Sequence, residues 1–218
     1  MYPWVDETKN PIRGKCPHAC SYCYVPNSRA KHLYEGKPHL IESFFEKGLG
    51  KDKIMFIGSC FDIFADEIRS QWIERIFGRC VQFKNEYLFQ TKNPDRFYEF
   101  RKIGLPHNAI YGTTIETTDV MLSLKLSRAP DVSIRYLDFV DLNLPAKMVS
   151  LEPLLEFELE IMVRWMKNIQ PIFISIGADS KGHNLPEPPG AKVKELIQEL
   201  EKFTEVKVKA NLQRILQS

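Results

Sequence analysis

Short apolar runs alternate with amphipathic stretches along most of this chain, and that order limits the possible folds more than any other feature. Residues 53–59 (KIMFIGS), 86–90 (EYLFQ), 108–115, 147–151, 171–177 (PIFISIG) and 206–210 read as strands. Between them, 67–83 carries Ile68, Trp72, Ile73, Ile76 and Cys80 at helical spacing, and Asn93-Pro94-Asp95 opens another helix. Residues 40–49, 118–127, 158–168 and 191–203 also read as helices. Strands that alternate with helices imply a parallel sheet covered by helices. About six such units fit, whereas a complete eight-unit barrel takes about 250 residues. The expectation is an α/β fold with parallel strands, an open partial (β/α)6 TIM-type barrel, forming a single domain over residues 1–218.

The formal charge of +2 neither demands a nucleic-acid partner nor excludes one. Apolar runs such as Ile54-Met55-Phe56-Ile57 are far too short to span a bilayer. The segment from Met1 to Glu7 has no basic region followed by an apolar one, so no signal peptide and no membrane are expected. Five cysteines, three of them within eight residues, do not resemble a disulfide framework and suit a reducing cytoplasm.

Those three are Cys16-Pro-His-Ala-Cys20-Ser-Tyr-Cys23, a C-x3-C-x2-C triplet. Soft thiolates favour iron–sulfur clusters, zinc or cuprous copper. Three of them can hold three corners of a [4Fe–4S] cube and leave one iron open. His18 inside the loop offers the alternative of a Cys3His zinc site, but such sites commonly use two separated ligand pairs, and no second pair follows.

In a barrel of this type, chemistry gathers at the C-terminal ends of the strands. Here those ends read Gly58-Ser59-Cys60-Phe61-Asp62, Gln90-Thr91-Lys92-Asn93, Gly112-Thr113-Thr114-Ile115-Glu116, Ser150-Leu151-Glu152-Pro153-Leu154 and Gly177-Ala178-Asp179-Ser180. Each end alone is explained by solvation and helix capping. Together they point to a polar pocket at the barrel mouth.

The triplet and its Tyr22-Cys23 ending resemble the signature of the radical S-adenosylmethionine (SAM) superfamily. The blocks Phe61-Asp62-Ile63-Phe64, 90–96 (QTKNPDR) and 150–154 (SLEPL) resemble a branch of unknown function found in phages and prokaryotes. Residues 13–20 (RGKCPHAC) carry a more distant likeness to the spore photoproduct lyases, which repair a thymine dimer in DNA. The resemblance implies a [4Fe–4S] cluster on Cys16, Cys20 and Cys23, with SAM chelating the open iron and cleaved reductively to a 5′-deoxyadenosyl radical. It implies an electron donor such as flavodoxin or ferredoxin. It also places SAM against the strand ends. The end of the first long strand, with Ser59 and Asp62, would meet the amino group. Thr113, Glu116, Ser150 and Glu152 would serve the carboxylate and ribose, Gly177 and Tyr22 would flank adenine, and Lys92 is a further cofactor-binding candidate.

Cys60 stands at a strand's chemical end and is a candidate hydrogen-atom donor to a substrate radical, the alternative being a packed thiol. Cys80, on an apolar helix face, reads as core. Basic residues cluster at Arg29, Lys31, His32 and Lys37, with Tyr22, Tyr24 and Tyr34 interleaved, and again at Lys202, Lys207, Lys209 and Arg214. They suit a nucleic-acid strand or an ordinary solvated face, and the Lys207/Lys209 alternation equally suits an exposed edge strand. The substrate reading leans towards a nucleic-acid base or nucleotide. A peptide or small metabolite is the alternative enzyme reading, and a non-catalytic zinc- or cluster-binding module the alternative outside enzymes. The Pro/Gly-rich segment 180–190 is placed to lie across the barrel mouth.

Overall fold

The computed structural model describes residues 2–101 and 104–217. In chain order the strands are β1 (Glu7–Lys9), β2 (Ile12–Arg13), β3 (His39–Leu40), β4 (Ile54–Ile57), β5 (Glu86–Thr91), β6 (Ala109–Thr114), β7 (Lys147–Leu151), β8 (Phe173–Ile176) and β9 (Glu205–Val208). The helices are α1 (Glu42–Glu46), α2 (Ser70–Cys80), α3 (Arg96–Phe100), α4 (Val120–Leu126), α5 (Val132–Val140), α6 (Leu159–Ile169), α7 (Gly190–Glu201) and α8 (Gln213–Leu216). Seven strands form one sheet in the order β1-β4-β5-β6-β7-β8-β9, and every neighbouring pair is parallel. The sheet does not close, so the open partial barrel expected from the sequence is the fold observed. β2 and β3 pair separately as a short antiparallel ribbon on either side of the cysteine loop in sequence.

Strand alternation gives the sheet two faces. On the outer face Met55, Ile57, Tyr87, Phe89, Tyr111, Val149, Leu151, Ile174 and Ile176 meet the helices, which contribute Ile73, Ile76, Phe97, Phe139, Met166 and Leu196. Burying each such side chain contributes roughly 1.5–3 kcal/mol. On the inner face Leu88, Ile110, Met148 and Phe173 form a smaller cluster with Tyr2 and Val5, flanked by Trp4 and Phe56. The Tyr2 ring stacks on Trp4 at 5.1 Å and on Phe56 at 5.9 Å, and Trp4 meets Phe173 edge-on at 5.0 Å. Lys207 Nζ lies 5.1 Å from the Trp4 ring centre, and Lys209 Nζ lies 5.1 Å from that of Tyr2. Side chains, rather than a ladder of backbone hydrogen bonds, thus connect the segment before β1 to the strand at the opposite edge.

The structure departs from the sequence reading in several elements: the short strands β1 to β3 and helix α8 add to those expected. The helix expected over 40–49 shrinks to α1. A helix that the sequence reading lacked, α5, fills part of the interval between 127 and 147. Its buried stripe is Val132, Arg135 and Phe139, so a charged residue interrupts the apolar pattern that would have announced it. Asp131 caps it, accepting from the Ser133 and Ile134 backbone N–H groups. Among the described residues, no helix is long and apolar enough to cross a membrane.

Candidate functional site

The cysteine loop is fastened to three strand ends and to the segment between α4 and α5. Ser21 N donates to Leu126 O at 2.8 Å, and Arg128 N donates to His18 O at 2.7 Å. Ser127 Oγ donates to His18 O and lies 3.2 Å from Cys20 Sγ. Ala19 takes φ +44°, a left-handed conformation that costs a residue with a Cβ roughly 1–2 kcal/mol. Those cross-links hold the loop in that turn.

His18 is buried and points its Nε2 at Asp62 Oδ2, 2.9 Å away. The same carboxylate accepts from Thr91 Oγ1, Lys92 N and Phe64 N at 2.8–3.0 Å. Burial alone would raise the Asp62 carboxyl. The His18 charge and hydrogen bond, with the Lys92 and Phe64 N–H groups, outweigh burial and hold it below its ordinary range. With four donors already in place, Asp62 ties the β4 end to β5 and to the loop. Gly58 turns the chain just before it with φ +85°, where a Cβ would lie 2.8 Å from Phe61 O. Beyond that turn, Asn10 Oδ1 accepts from Cys60 N at 2.7 Å, Asn10 Nδ2 donates to Ser59 Oγ, and Tyr24 OH donates to Ser59 O.

A second buried carboxylate organises the other side of the loop. Tyr22 OH donates to Glu116 Oε1 at 2.8 Å, and Lys92 Nζ donates to Tyr22 OH at 2.5 Å while lying 3.1 Å from Glu116. Arg135 grips Glu116 through both terminal nitrogens at 2.7 and 3.1 Å. Its other donations go to Thr114 O, Pro130 O and Ser123 Oγ, so this fully buried guanidinium is well satisfied. Burial would raise the Glu116 carboxyl, but the Arg135 and Lys92 charges hold it far below the usual carboxylate range.

Further round the sheet, Lys209 Nζ donates to both oxygens of Glu152 at 2.8 and 2.7 Å. A Cβ on Gly177 would lie 2.8 Å from the Glu152 carboxyl group, so the bare glycine makes room for it. Asn211 Nδ2 bonds Ala178 O and Ser180 Oγ nearby. A cavity of about 500 Å³ opens beside them, lined by Asp179, Ser180, Gly182, Asn184, Leu185, Glu187 and Arg214. Ser150 Oγ accepts from Tyr2 OH at 2.9 Å, and Tyr2 OH also reaches Gln90 Oε1 at 2.7 Å. Burial raises the Tyr2 hydroxyl far above its ordinary value, so it stays a neutral donor.

The structure therefore draws Cys16, Cys20, Cys23, Tyr22, Asp62, Lys92 and Glu116 into one bonded assembly, with Ser59 and Cys60 at its margin. Ser150, Glu152 and Gly177 form a second group on β7, β8 and their C-terminal extensions. Thr113 belongs to neither: it is fully buried and donates to Thr91 O, while its neighbour Thr114 accepts from Gln90 on the inner face. Arg135, Ser127, Tyr2 and Asn10 were not singled out from the sequence. Arg135 lies in an interval to which the sequence reading assigns no element, and Ser127 at the end of the helix expected over 118–127. Lys207 and Lys209, which suited an exposed edge, reach aromatic rings and Glu152 instead.

The chemistry of the donor set fits a cluster. All three cysteines are half-buried free thiols. Burial pushes the Cys16 thiol up to about 12, with Asp62 adding to the rise, while the Asp62 and His18 backbone N–H groups at its sulfur act the other way. Burial likewise raises Cys23, opposed by the Val25 N–H and the Lys92 charge. A thiolate here needs a compensating cation, and N–H or hydroxyl groups stand ready at each sulfur. Burial raises the Tyr34 hydroxyl to about 12, and all three sulfurs contribute, so Tyr34 is their common neighbour. Among the described residues, no three His, Cys, Asp or Glu side chains converge on a single metal-ion position. His18, the fourth member of the zinc alternative, is engaged by Asp62.

No protein-family model matches this sequence, and no curated protein is significantly similar to it. Among solved structures, the chain is similar to a spore photoproduct lyase variant with bound AdoMet and dinucleoside spore photoproduct. The TM-score is 0.59 at 10% identity, covering 93% of this chain and 63% of that one. A second variant of the enzyme gives 0.59 at 11% identity, covering 94% and 63%. The enzyme complexed with dinucleoside spore photoproduct gives 0.54 at 10% identity, covering 88% and 60%. The chain thus spans less than two thirds of the structures it matches. At this identity the likeness is one of fold.

Proposed function

We propose that this chain is a radical SAM enzyme, in which Cys16, Cys20 and Cys23 hold a [4Fe–4S] cluster and SAM binds along the C-terminal ends of β5 to β8. When bound, the cluster and SAM together supply an electron and a carbon-centred radical able to abstract a hydrogen atom from a substrate. The observation that carries this reading is the wiring of the cysteine loop. Donors stand at each of its sulfurs, and Tyr22 and His18 anchor it on two buried carboxylates at neighbouring strand ends.

The chain's own residues divide into two roles. Asp62 and Glu116 have their acceptor capacity filled by internal donors, so they position the loop, one through His18 and the other through Tyr22. Glu152 beside Gly177 is the carboxylate best suited to meet SAM's ribose hydroxyls or ammonium group, exchanging its bond to Lys209. Lys92 is the cation for the SAM carboxylate. Ser59 and Ser150 are hydroxyls at the margin of that site, and Thr113 supports it from the opposite strand face. An exterior reductant such as flavodoxin or ferredoxin delivers the electron.

For the substrate we favour a nucleic-acid base or nucleotide. The fold likeness to an enzyme solved with a dinucleoside photoproduct supports this, as do the exposed basic side chains near the loop. Anaerobic reconstitution with iron and sulfide tests the cofactor assignment. The expected result is a brown protein whose reduced form gives a cluster EPR signal and makes 5′-deoxyadenosine from SAM. A colourless protein holding one zinc and leaving SAM intact would overturn it.

A further inference from the structure

Three donor side chains lie on the inner face near the β9 edge, and none has an acceptor within hydrogen-bond distance among the described residues. Ser175 is 1% exposed, and its Oγ has no hydrogen-bond partner among the described residues. Trp4 Nε1 is likewise buried without one. Ser175 and Lys207 are register partners on β8 and β9, hence neighbours on one face. Lys207 Nζ lies 3.9 Å from the centre of the Phe173 ring and 5.1 Å from that of Trp4. Its nearest carboxylate oxygen, on the exposed Glu205, is 3.8 Å away.

A buried polar group without a partner is uncommon, and two around one cation point to a ligand. An indole N–H and an ammonium only donate, and a hydroxyl can also donate. The set therefore calls for an acceptor-rich, negatively charged group. A purely apolar occupant would leave the indole N–H and the hydroxyl orphaned. The aromatic faces hold the ammonium by cation–π attraction without using its N–H bonds. The Lys207 side chain is 29% exposed, so solvent reaches the lysine of the set, while the Trp4 N–H and the Ser175 hydroxyl are buried and a ligand must move side chains to reach them.

We propose that Trp4 Nε1, Ser175 Oγ and Lys207 Nζ form an anion subsite that takes a phosphate group of a nucleotide substrate. This deepens the nucleotide reading above and rests on it for the rest of the ligand. It also gives the aromatic segment before β1 a role in substrate binding, beyond bridging the open side of the sheet.

The chain has three tryptophans, and the indole N–H cross-peak of Trp4 in a 15N-labelled sample is a direct probe. Loss of one peak in Trp4→Phe assigns it. Titration with the dinucleotide thymidylyl-thymidine should shift the Trp4 peak saturably and leave those of Trp72 and Trp165 in place. Thymidine, which lacks the phosphate, should not shift it. Ser175→Ala and Lys207→Met should each weaken the dinucleotide about tenfold or more, the scale of a charge-assisted hydrogen bond. No saturable shift, or an equal shift with thymidine or with chloride at matched ionic strength, overturns the subsite. A shift with inorganic phosphate but none with the dinucleotide overturns the nucleotide assignment. A matching response to acetate overturns the choice of phosphate over a peptide carboxylate. None of these readouts involves the cluster. A protein that cleaves SAM but shows no shift refutes the subsite alone, and the converse refutes the radical reading alone.

Discussion

Replacing Arg135 with Met removes the main compensation for a fully buried carboxylate. Both members of the Arg135–Glu116 pair are 0% exposed, with contacts of 2.7 and 3.1 Å. Deleting one partner of a buried pair costs about 3–5 kcal/mol, because the other charge stays desolvated. Lys92 remains 3.1 Å from Glu116, which argues for the lower end, about 3 kcal/mol. For a chain of this length, each kcal/mol moves the melting temperature by about 2–4 °C, so the expected drop is about 6–12 °C. The pH profile adds a signature. Glu116 is held low in the folded protein, so its stabilisation is full above the unfolded value of about 4.3 and fades as pH falls below it. In Arg135→Met, burial goes largely uncompensated and the carboxyl rises, so Glu116 contributes less acid destabilisation, and protonating the stranded carboxylate narrows the variant's deficit against wild type as pH falls. The double variant Glu116→Leu, Arg135→Met should recover much of the lost stability, since an apolar pair of similar volume replaces the ions. It should not recover iron retention after reconstitution, because Tyr22 has lost its acceptor. Melts of the apo proteins followed by circular dichroism decide the matter. An Arg135→Met protein melting within about 2 °C of wild type would refute the reasoning.

Three further substitutions test other parts of the site. Gly177→Ala puts a Cβ 2.8 Å from the Glu152 carboxyl group, so Glu152 must shift. About 1–3 kcal/mol of overpacking is expected, with weaker SAM binding by isothermal calorimetry, and unchanged affinity would remove Glu152 from the SAM site. Cys60→Ala should keep the cluster and SAM cleavage while losing substrate product, and full product turnover would remove the hydrogen-donor role. Asp131→Ala removes the cap of α5 and should lower stability by about 1 kcal/mol, read as a denaturant midpoint shift with unchanged slope.

The parallel sheet was legible because its strands are continuous apolar runs between turn signals, and β7 coincides with the stretch read from the sequence, 147–151. Positions at strand ends were legible as types but not as directions. Thr113 and Thr114 look equivalent in sequence, and only strand alternation separates the residue that supports the outer face from the one facing in. Arg135 was hidden for a physical reason. A buried arginine is stabilised by partners distant in sequence, here Glu116, Thr114 and Ser123, and no local pattern records that pairing. The segment from Tyr2 to Trp4 was equally opaque, since its place beneath β7 to β9 depends on the sheet staying open.

That openness has a consequence for amide exchange. β1 and β9 each carry a backbone ladder on one side only. Amides directed into the gap between them are guarded by rings and ammonium groups rather than by carbonyl partners. They belong to the fastest-exchanging class of the sheet, while β5 to β7 set the slowest. The barrel wall is thus stiff at its centre and compliant along one seam, and a bulky ligand entering by that seam would displace side chains without breaking a single strand pairing.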